Sequence, residues 1–160
     1  MLIRAARQAD LAQIGALWNA VIRDTTATFT TQKKSAADLA ALLHSRRYAF
    51  LVADRNGTCA CFITWGSFRA GPGYVHTAEH SIITSTRGKG TGRALMDAAV
   101  DQARSQGIHV MIAAIGGENN AAVAFHERLG FAKTGHLPQV GRKMGRWHDL
   151  ILMSRTLTAP

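Results

Sequence analysis

Residues 79–95 read Glu79-His80-Ser81-Ile82-Ile83-Thr84-Ser85-Thr86-Arg87-Gly88-Lys89-Gly90-Thr91-Gly92-Arg93-Ala94-Leu95, and the rest of the chain is organised around them. The β-branched neighbours Ile82 and Ile83 suit a strand covered on both faces. Gly88, Gly90 and Gly92 then remove side chains where the backbone must turn. From Ala94 the pattern becomes helical, with Leu95, Met96, Ala99 and Ala103 on one side. The stretch is therefore a strand, a tight basic turn and the start of a helix. A helix N-terminus has amides without internal partners and attracts anions; Arg87, Lys89 and Arg93 add full positive charge beside it. A phosphate-bearing ligand fits such a corner. Glycine spacing excludes the dinucleotide fingerprint, and the missing Gly-Lys-Ser/Thr excludes the nucleoside-triphosphate loop.

A chain of 160 residues is expected to form one domain over 1–160, burying roughly two thirds of its unfolded surface without disulfide or metal. Hydrophobic residues make up 47%, yet no run approaches the length of a membrane span. The N-terminus is charged before any apolar core develops and does not read as a secretory signal, so a cytoplasmic location is expected. Cys59 and Cys61 lie two apart in a strand-like run, on one face and too constrained for an easy disulfide. No second pair completes a zinc site, and buried packing is their expected role. Nineteen basic against ten acidic residues give a charge of +9, which alone would permit nucleic-acid binding. The charges are scattered, however, apart from Arg87, Lys89 and Arg93 and a second cluster at Arg142, Lys143 and Arg146. Neither cluster is interleaved with aromatics, and no recognition-helix or RNA-binding signature appears. The excess is read as serving a polyanionic cofactor and an anionic substrate, not nucleic acid.

Working outward, Leu2 to Ala5 is a short strand, and Asp10, with Gln13 at the capping-box position, is expected to cap a helix with Ile14, Leu17, Trp18 and Val21 inward. Residues 24–34 lack a helical period and read as an extended loop, a substrate rim whose one large apolar residue, Phe29, either meets substrate or anchors the loop. Ser35 and Asp38 open a second helix. Phe50–Ala53 and Thr58–Thr64 form a hairpin about Asn56-Gly57. An irregular segment from Trp65 to Tyr74, carrying Arg69, leads into a strand at Val75–Thr84. The central helix spans about Thr91–Ser105 and stops near Gly107. His109–Ile115 is a buried strand, Asn119 caps a helix over 120–129, Gly130 ends it, and Phe131 begins another strand. Residues 137–148 read as a basic loop before a last strand, Leu150–Thr156. This order implies a mixed α/β sheet with helices on both faces.

The run Arg-Gly-Lys-Gly-Thr-Gly at 87–92 resembles the acetyl-CoA pyrophosphate loop of the GCN5-related N-acetyltransferases (GNAT), Gln/Arg-x-x-Gly-x-Gly/Ala between a strand and a helix. Thr25-Thr26-Ala27-Thr28-Phe29, Thr77-Ala78-Glu79-His80-Ser81, His109-Val110-Met111-Ile112-Ala113-Ala114-Ile115, Phe125-His126-Glu127-Arg128-Leu129-Gly130-Phe131 and Gly141-Arg142-Lys143-Met144-Gly145-Arg146-Trp147-His148-Asp149 follow in an order similar to the phosphinothricin and methionine sulfoximine N-acetyltransferases. The likeness spans nearly the whole chain. It implies the GNAT fold, a central mixed, mostly antiparallel sheet flanked by helices on both faces. It also implies acetyl-CoA as co-substrate, no metal, a small-molecule amine acceptor, and a homodimer.

The family's chemistry is direct attack of a substrate amine on the thioester through a tetrahedral oxyanion, so neither cysteine need be a nucleophile. An amine is mostly protonated at neutral pH, and a nearby base is useful. Glu79, matching the family's Glu-His-Ser segment, is the implied base, in a segment where Ser81 would also meet substrate. His80 points to the opposite face of a regular strand and either orients substrate or is structural. By resemblance the backbone of Ile82, Ile83 and Thr84 pairs with the pantetheine arm, and an amide there could stabilise the oxyanion by about 3 kcal/mol. Arg87, Gly88, Lys89, Gly90, Thr91, Gly92 and Arg93 would hold the pyrophosphate, with Asn119 a further cofactor contact or simply a cap. His126 stands where the family carries a tyrosine that protonates the leaving thiolate; it could serve as that acid or be packed. Arg69, or Arg142 and Arg146, could hold the substrate's acidic groups.

Two departures stand out. Only Ser85 and Thr86 separate Thr84 from Arg87, a short connection, and Thr30-Thr31-Gln32-Lys33 replaces the usual acidic residues and proline after the Thr-Phe segment. The reading is an acetyl-CoA-dependent N-acetyltransferase for a phosphinothricin- or methionine sulfoximine-like amine. The alternatives are another acceptor (an antibiotic, a polyamine or a protein N-terminus) and a non-catalytic module binding acetyl-CoA or nucleic acid.

Overall fold

In the computed structural model, which describes residues 1–85 and 90–158, seven strands of the described residues form one sheet in the order β1-β2-β3-β4-β5-β7-β6. The strands are β1 (Leu2–Ala5), β2 (Phe50–Arg55), β3 (Thr58–Ser67), β4 (Thr77–Thr84), β5 (Val110–Gly116), β6 (Ala132–Lys143) and β7 (Arg146–Thr156). Every neighbouring pair is antiparallel except β4 and β5, which run parallel. The helices are α1 (Leu11–Asp24), α2 (Ala36–Ser45), α3 (Thr91–Ser105) and α4 (Asn120–Glu127), and α3 has the limits the sequence predicts.

The helices divide between the two faces. On one, Ile14, Trp18 and Ile22 of α1 and Leu39 of α2 pack on Phe50, Val52 and Phe62. On the other, Leu95, Met96, Ala99 and Ala103 of α3 pack on Leu51, Ile63 and Trp65, with Phe125 of α4 beside them. Fully burying one such side chain contributes roughly 1.5–3 kcal/mol, so these two stripes set the arrangement. The β2–β3 hairpin turns at Asn56 (φ 53) and Gly57 (φ 83), the left-handed pair that an Asn-Gly turn predicts.

Four expectations change. Asp10 does not cap α1: a 3-10 turn at Gln8–Asp10 precedes the helix, and Asp10 accepts from the Arg7 amide at 2.7 Å. Gln13 instead braces β3, accepting from the Cys59 amide and donating to the Gly57 carbonyl. Cys59 and Cys61 do not share a face, because a bulge opposite Ala53/Asp54 inserts Ala60 and sends the two thiols to opposite cores. Burial pushes them up to about 11 and about 12, which keeps both as thiols. The irregular segment begins later than expected, since β3 runs on to Ser67, with Trp65 buried within it. Residues 137–148 are not a loop: β6 and β7 form a long hairpin closed by Met144 (φ 50) and Gly145 (φ 74).

Arg4 of β1 ties the turn before α1 to the end of β2. Its guanidinium donates to Asp10 at 2.7 and 2.8 Å and to Asp54 at 2.8 and 3.0 Å, holding both carboxyls below their ordinary value. A carboxylate depressed in the folded state stabilises above its unfolded value and loses that contribution as pH falls through the folded one. Asp10→Asn should therefore destabilise the protein by on the order of 2 kcal/mol at neutral pH. Denaturant unfolding followed from pH 7 to pH 3 should show the gap between variant and parent closing below about pH 4.

Candidate active site

The parallel pairing of β4 and β5 runs only from Thr77↔Val110 to His80↔Ala113. Beyond it, β4 stays on β3 as far as Cys61↔Thr84, while β5 stays on β7 as far as Gly116↔Leu150. The two strands part at His80 and Ala113 and leave a wedge, into which Ser81, Ile82 and Ile83 turn one backbone edge. α3 begins just past the end of β4 behind Gly90, which adopts a left-handed φ of 70. An extended ligand carrying amides can add along such a strand edge, and an anion can meet the first amides of the helix. Pantetheine diphosphate has both parts, so the residues present fit acetyl-CoA: Ile82, Ile83 and Thr84 along the edge, Gly90, Thr91 and Gly92 at the helix mouth.

The details limit which side chains take part. The Thr91 hydroxyl is buried and accepts from Arg55 Nη2 at 2.8 Å, so its backbone is what faces an anion. At Gly92 a Cβ would come within 3.3 Å of the Phe125 ring, which makes glycine the residue of least crowding. Arg93 is exposed and donates to the Arg128 carbonyl at 3.3 Å. Asn119 caps α4, its oxygen accepting from the Ala122 amide at 3.2 Å. Arg87, Gly88 and Lys89 lie outside the described residues. Among the described residues, no group of three or more His, Cys, Asp or Glu side chains could hold a metal ion.

Strand alternation separates the two residues at the apex of the wedge. Ala78 and Ile82 pack with the α3 core and Ile83 with the α1–α2 core, so Glu79 and Ser81 face α1 and α2 whereas His80 faces α4. Glu79 is half-buried, between Gly66 of β3 and Ile112 of β5. The Arg46 guanidinium lies over Gly66 so closely that a Cβ there would meet Nη2 at 2.8 Å; its Nη1 reaches the Thr64 hydroxyl at 3.4 Å. Burial pushes the Glu79 carboxyl above the ordinary value and the Arg46 charge opposes that rise. Arg46 is the cation that sequence reasoning missed. At the end of α2, in Ser45-Arg46-Arg47, it resembles any solvated helix-terminal cation, and the one signal was a glycine inside a strand.

On the opposite face His80 Nε2 lies 3.0 Å from His126 Nε2, and both rings are buried against Phe131. His126 Nδ1 is 2.8 Å from the Ala122 carbonyl, which can only accept, so that nitrogen carries the proton. His126 Nε2 is then an acceptor and His80 Nε2–H the donor. Among the described residues no partner lies within hydrogen-bond distance of His80 Nδ1, although the Ile112 backbone acts on the ring. Burial first, and the neighbouring imidazole second, push His80 far below the ordinary histidine value; burial lowers His126 as well. The pair is neutral near pH 7.

Phe29 is stacked on His148 with ring centroids 5.5 Å apart and fills a notch at Gly141. Arg69 is exposed, its guanidinium 5.9 Å from the Phe68 ring. Arg142 lies 4.9 Å over Trp147, and Arg146 donates to both oxygens of Glu118 at 3.1 and 3.2 Å. The structure thus brings Arg46, and none of these three, beside Glu79.

The acetyltransferase (GNAT) domain family matches residues 3–152. Over 162 residues the chain is 39% identical to the L-amino acid N-acyltransferase MnaT of Escherichia coli strain K12, covering 98% of this chain and 94% of that protein. It is 40% identical over 161 residues to the L-methionine sulfoximine/L-methionine sulfone acetyltransferase of Pseudomonas aeruginosa, covering 97% and 94%. The phosphinothricin acetyltransferase of Sinorhizobium meliloti, solved in complex with acetyl-CoA, superposes with a TM-score of 0.91 at 32% identity, over 97% of this chain and 87% of that one. With a wedge between two parting parallel strands, a helix mouth at its end and a match along nearly the whole sequence, the chain belongs to the GNAT family and is an acetyl-CoA-dependent N-acetyltransferase.

Proposed function

We propose that the acceptor is the α-amine of a small amino acid of the methionine sulfoximine or phosphinothricin type, and that Glu79 removes its proton. One observation carries the assignment of the base: Glu79 is the carboxylate at the parting of β4 and β5, half-buried, with its proton affinity raised by burial. A base of raised affinity takes a proton from an ammonium more readily than an exposed carboxylate does. Relatives acting on L-amino acids and on methionine sulfoximine support the choice of acceptor.

Bound acetyl-CoA supplies a thioester carbonyl for the amine to attack. Ile82, Ile83 and Thr84 would hold its pantetheine arm, with Arg87, Gly88, Lys89, Gly90, Thr91, Gly92 and Arg93 at its phosphates and Asn119 beside them. An amide of β4 beyond its parting from β5, at Ile82 or Ile83, would donate to the developing oxyanion. Ser81 shares the face of Glu79 and would meet the acceptor. His80 and His126 suit a positioning role. His126 Nε2 carries no proton in this arrangement, so the geometry favours His126 fixing His80 over His126 protonating the thiolate. Arg69, Arg142 and Arg146 serve the acceptor's acidic groups only by leaving their present contacts, whereas Arg46 already stands beside Glu79. A cytoplasmic location suits the supply of acetyl-CoA. Among the described residues, no helix is long and apolar enough to cross a membrane.

A homodimer is proposed on the β6–β7 hairpin. Leu137, Val140, Met144 and Trp147 are 37, 51, 56 and 57% exposed there, and β6 is one of the two edge strands of the sheet. A second copy covering this hairpin removes both the apolar surface and the unpaired edge.

A panel of amines assayed with acetyl-CoA and a free-thiol readout should give turnover with L-methionine sulfoximine or phosphinothricin well above that with spermidine; the reverse order would refute the acceptor assignment. Glu79→Gln should lower kcat/KM by about a hundredfold or more. Arg46→Met should move the acidic limb of the pH–rate profile upward, because removing the cation lets the Glu79 carboxyl rise further; an unmoved limb would show that Arg46 does not act on the base. Gel filtration should return a dimer for the parent and a monomer for Trp147→Glu.

A further inference from the structure

We infer that Lys143 is a positioning residue for the acceptor site: its ammonium clips the chain at 25–29 onto the β6–β7 hairpin, and that strap is the wall that admits small acceptors. The inference rests on the face carrying Glu79 being the acceptor side.

Lys143 is 4% exposed, and its Nζ donates to the Thr25 carbonyl at 2.6 Å and the Thr28 carbonyl at 2.7 Å. Among the described residues no carboxylate pairs with it, although a buried ammonium ordinarily has one. Two carbonyls three residues apart can meet one nitrogen only if the chain between them curls around it. The curl grows from the end of α1, where the Thr25 hydroxyl donates to the Val21 carbonyl and accepts from the Ala27 amide. It is locked further along by Phe29, whose ring fills the place a Cβ of Gly141 would take, at 2.1 Å. The His148 ring stacked on Phe29 donates from Nε2 to the Lys143 carbonyl at 3.0 Å. One lysine thus satisfies two strap carbonyls, while its own backbone is fixed by the ring on which the strap ends.

The strap also lies against the end of β5, since a Cβ at Gly116 would approach the Thr26 carbonyl to 2.8 Å. Gly116 shares a strand face with Ile112, the cross-strand neighbour of Glu79. Four residues of strand separate them, roughly 13 Å. Glu79 and the strap therefore stand at the two ends of one face of β5, and in the proposed site an extended small amino acid would lie between them. Acceptor size and affinity depend on the strap being in place; the strap meets the β5 side of the wedge at Gly116, not the β4 edge or the mouth of α3 proposed to hold acetyl-CoA.

If the strap stands in place only part of the time, apparent acceptor affinity falls by that fraction and the rate of the bound complex is little changed. In the full-length enzyme, Lys143→Met should raise KM for L-methionine sulfoximine by about tenfold, with kcat and KM for acetyl-CoA within about twofold. Amide hydrogen exchange should quicken in residues 25–30 alone, and Lys143→Arg, which keeps charge and donors, should restore most of both effects. Gly141→Ala evicts Phe29 without touching Lys143 and should reproduce the phenotype; it carries the test if Lys143→Met does not fold. Unchanged exchange in both variants overturns the clip, and faster exchange with an unchanged amine KM overturns the wall. Should the parent acetylate no amine, the acceptor-site reading fails and hydrogen exchange alone decides the clip.

Discussion

The short parallel contact between β4 and β5 is the constraint from which the site follows. Four residues of each strand pair, and then each strand remains with its antiparallel neighbour, since the sheet twists and the two partners carry them apart. A sheet interior normally leaves no backbone donor or acceptor unpaired. Here β4 leaves β5 at His80 and runs on toward a helix mouth, so on the proposed function it would offer amides and carbonyls to an extended guest together with a terminus for its phosphates. The hydrophobic stripes of α1 and α3 hold the two faces of the sheet on either side of that gap, which ties cofactor capture to core packing.

Placing Glu79 and His80 on consecutive positions of β4 divides the environments that each experiences. The carboxylate faces a layer into which α2 brings a cation, so its charge is tolerated half-buried. The imidazole faces a layer where its ring neighbours among the described residues are a second imidazole and Phe131, and burial keeps both imidazoles neutral. A neutral pair has two ring protons. One goes to the Ala122 carbonyl and one bridges the rings, which fixes their tautomers. The result is a stiff, uncharged floor under the apex of the wedge, where a charged group would compete with a ligand's own amides.

Much of this was legible where the signal is local. The glycine turn followed by a helical period located α3, and Asn56-Gly57 located the first hairpin, because each rests on a few neighbouring residues. The β6–β7 hairpin escaped because an edge strand exposed along most of its length shows little apolar alternation, and Gly135, Pro138 and Gly141 read as loop punctuation. The faces of Cys59 and Cys61 depended on a one-residue bulge that no period of two reveals. Arg46 and Lys143 were invisible for another reason. Their meaning lies in what they approach, and Lys143 meets carbonyls 115 and 118 residues away in the chain.

A net charge of +9 would suggest a surface made for anions, yet the cations nearest the site are used one at a time. Arg46 lies on Gly66 beside Glu79, Lys143 is spent on peptide carbonyls, Arg146 on Glu118, and Arg55 on the Thr91 hydroxyl. Each cation is held by a specific geometry, so its effect is local; Arg46, Arg55 and Lys143 are at least partly buried and weakly screened, whereas the Arg146–Glu118 pair is exposed. Charge in this chain therefore acts chiefly as a set of positioned donors. On the proposed function, the long-range attraction that remains would serve the polyanionic cofactor, and discrimination among acceptors would fall to the spacing between Glu79, Arg46 and the strap.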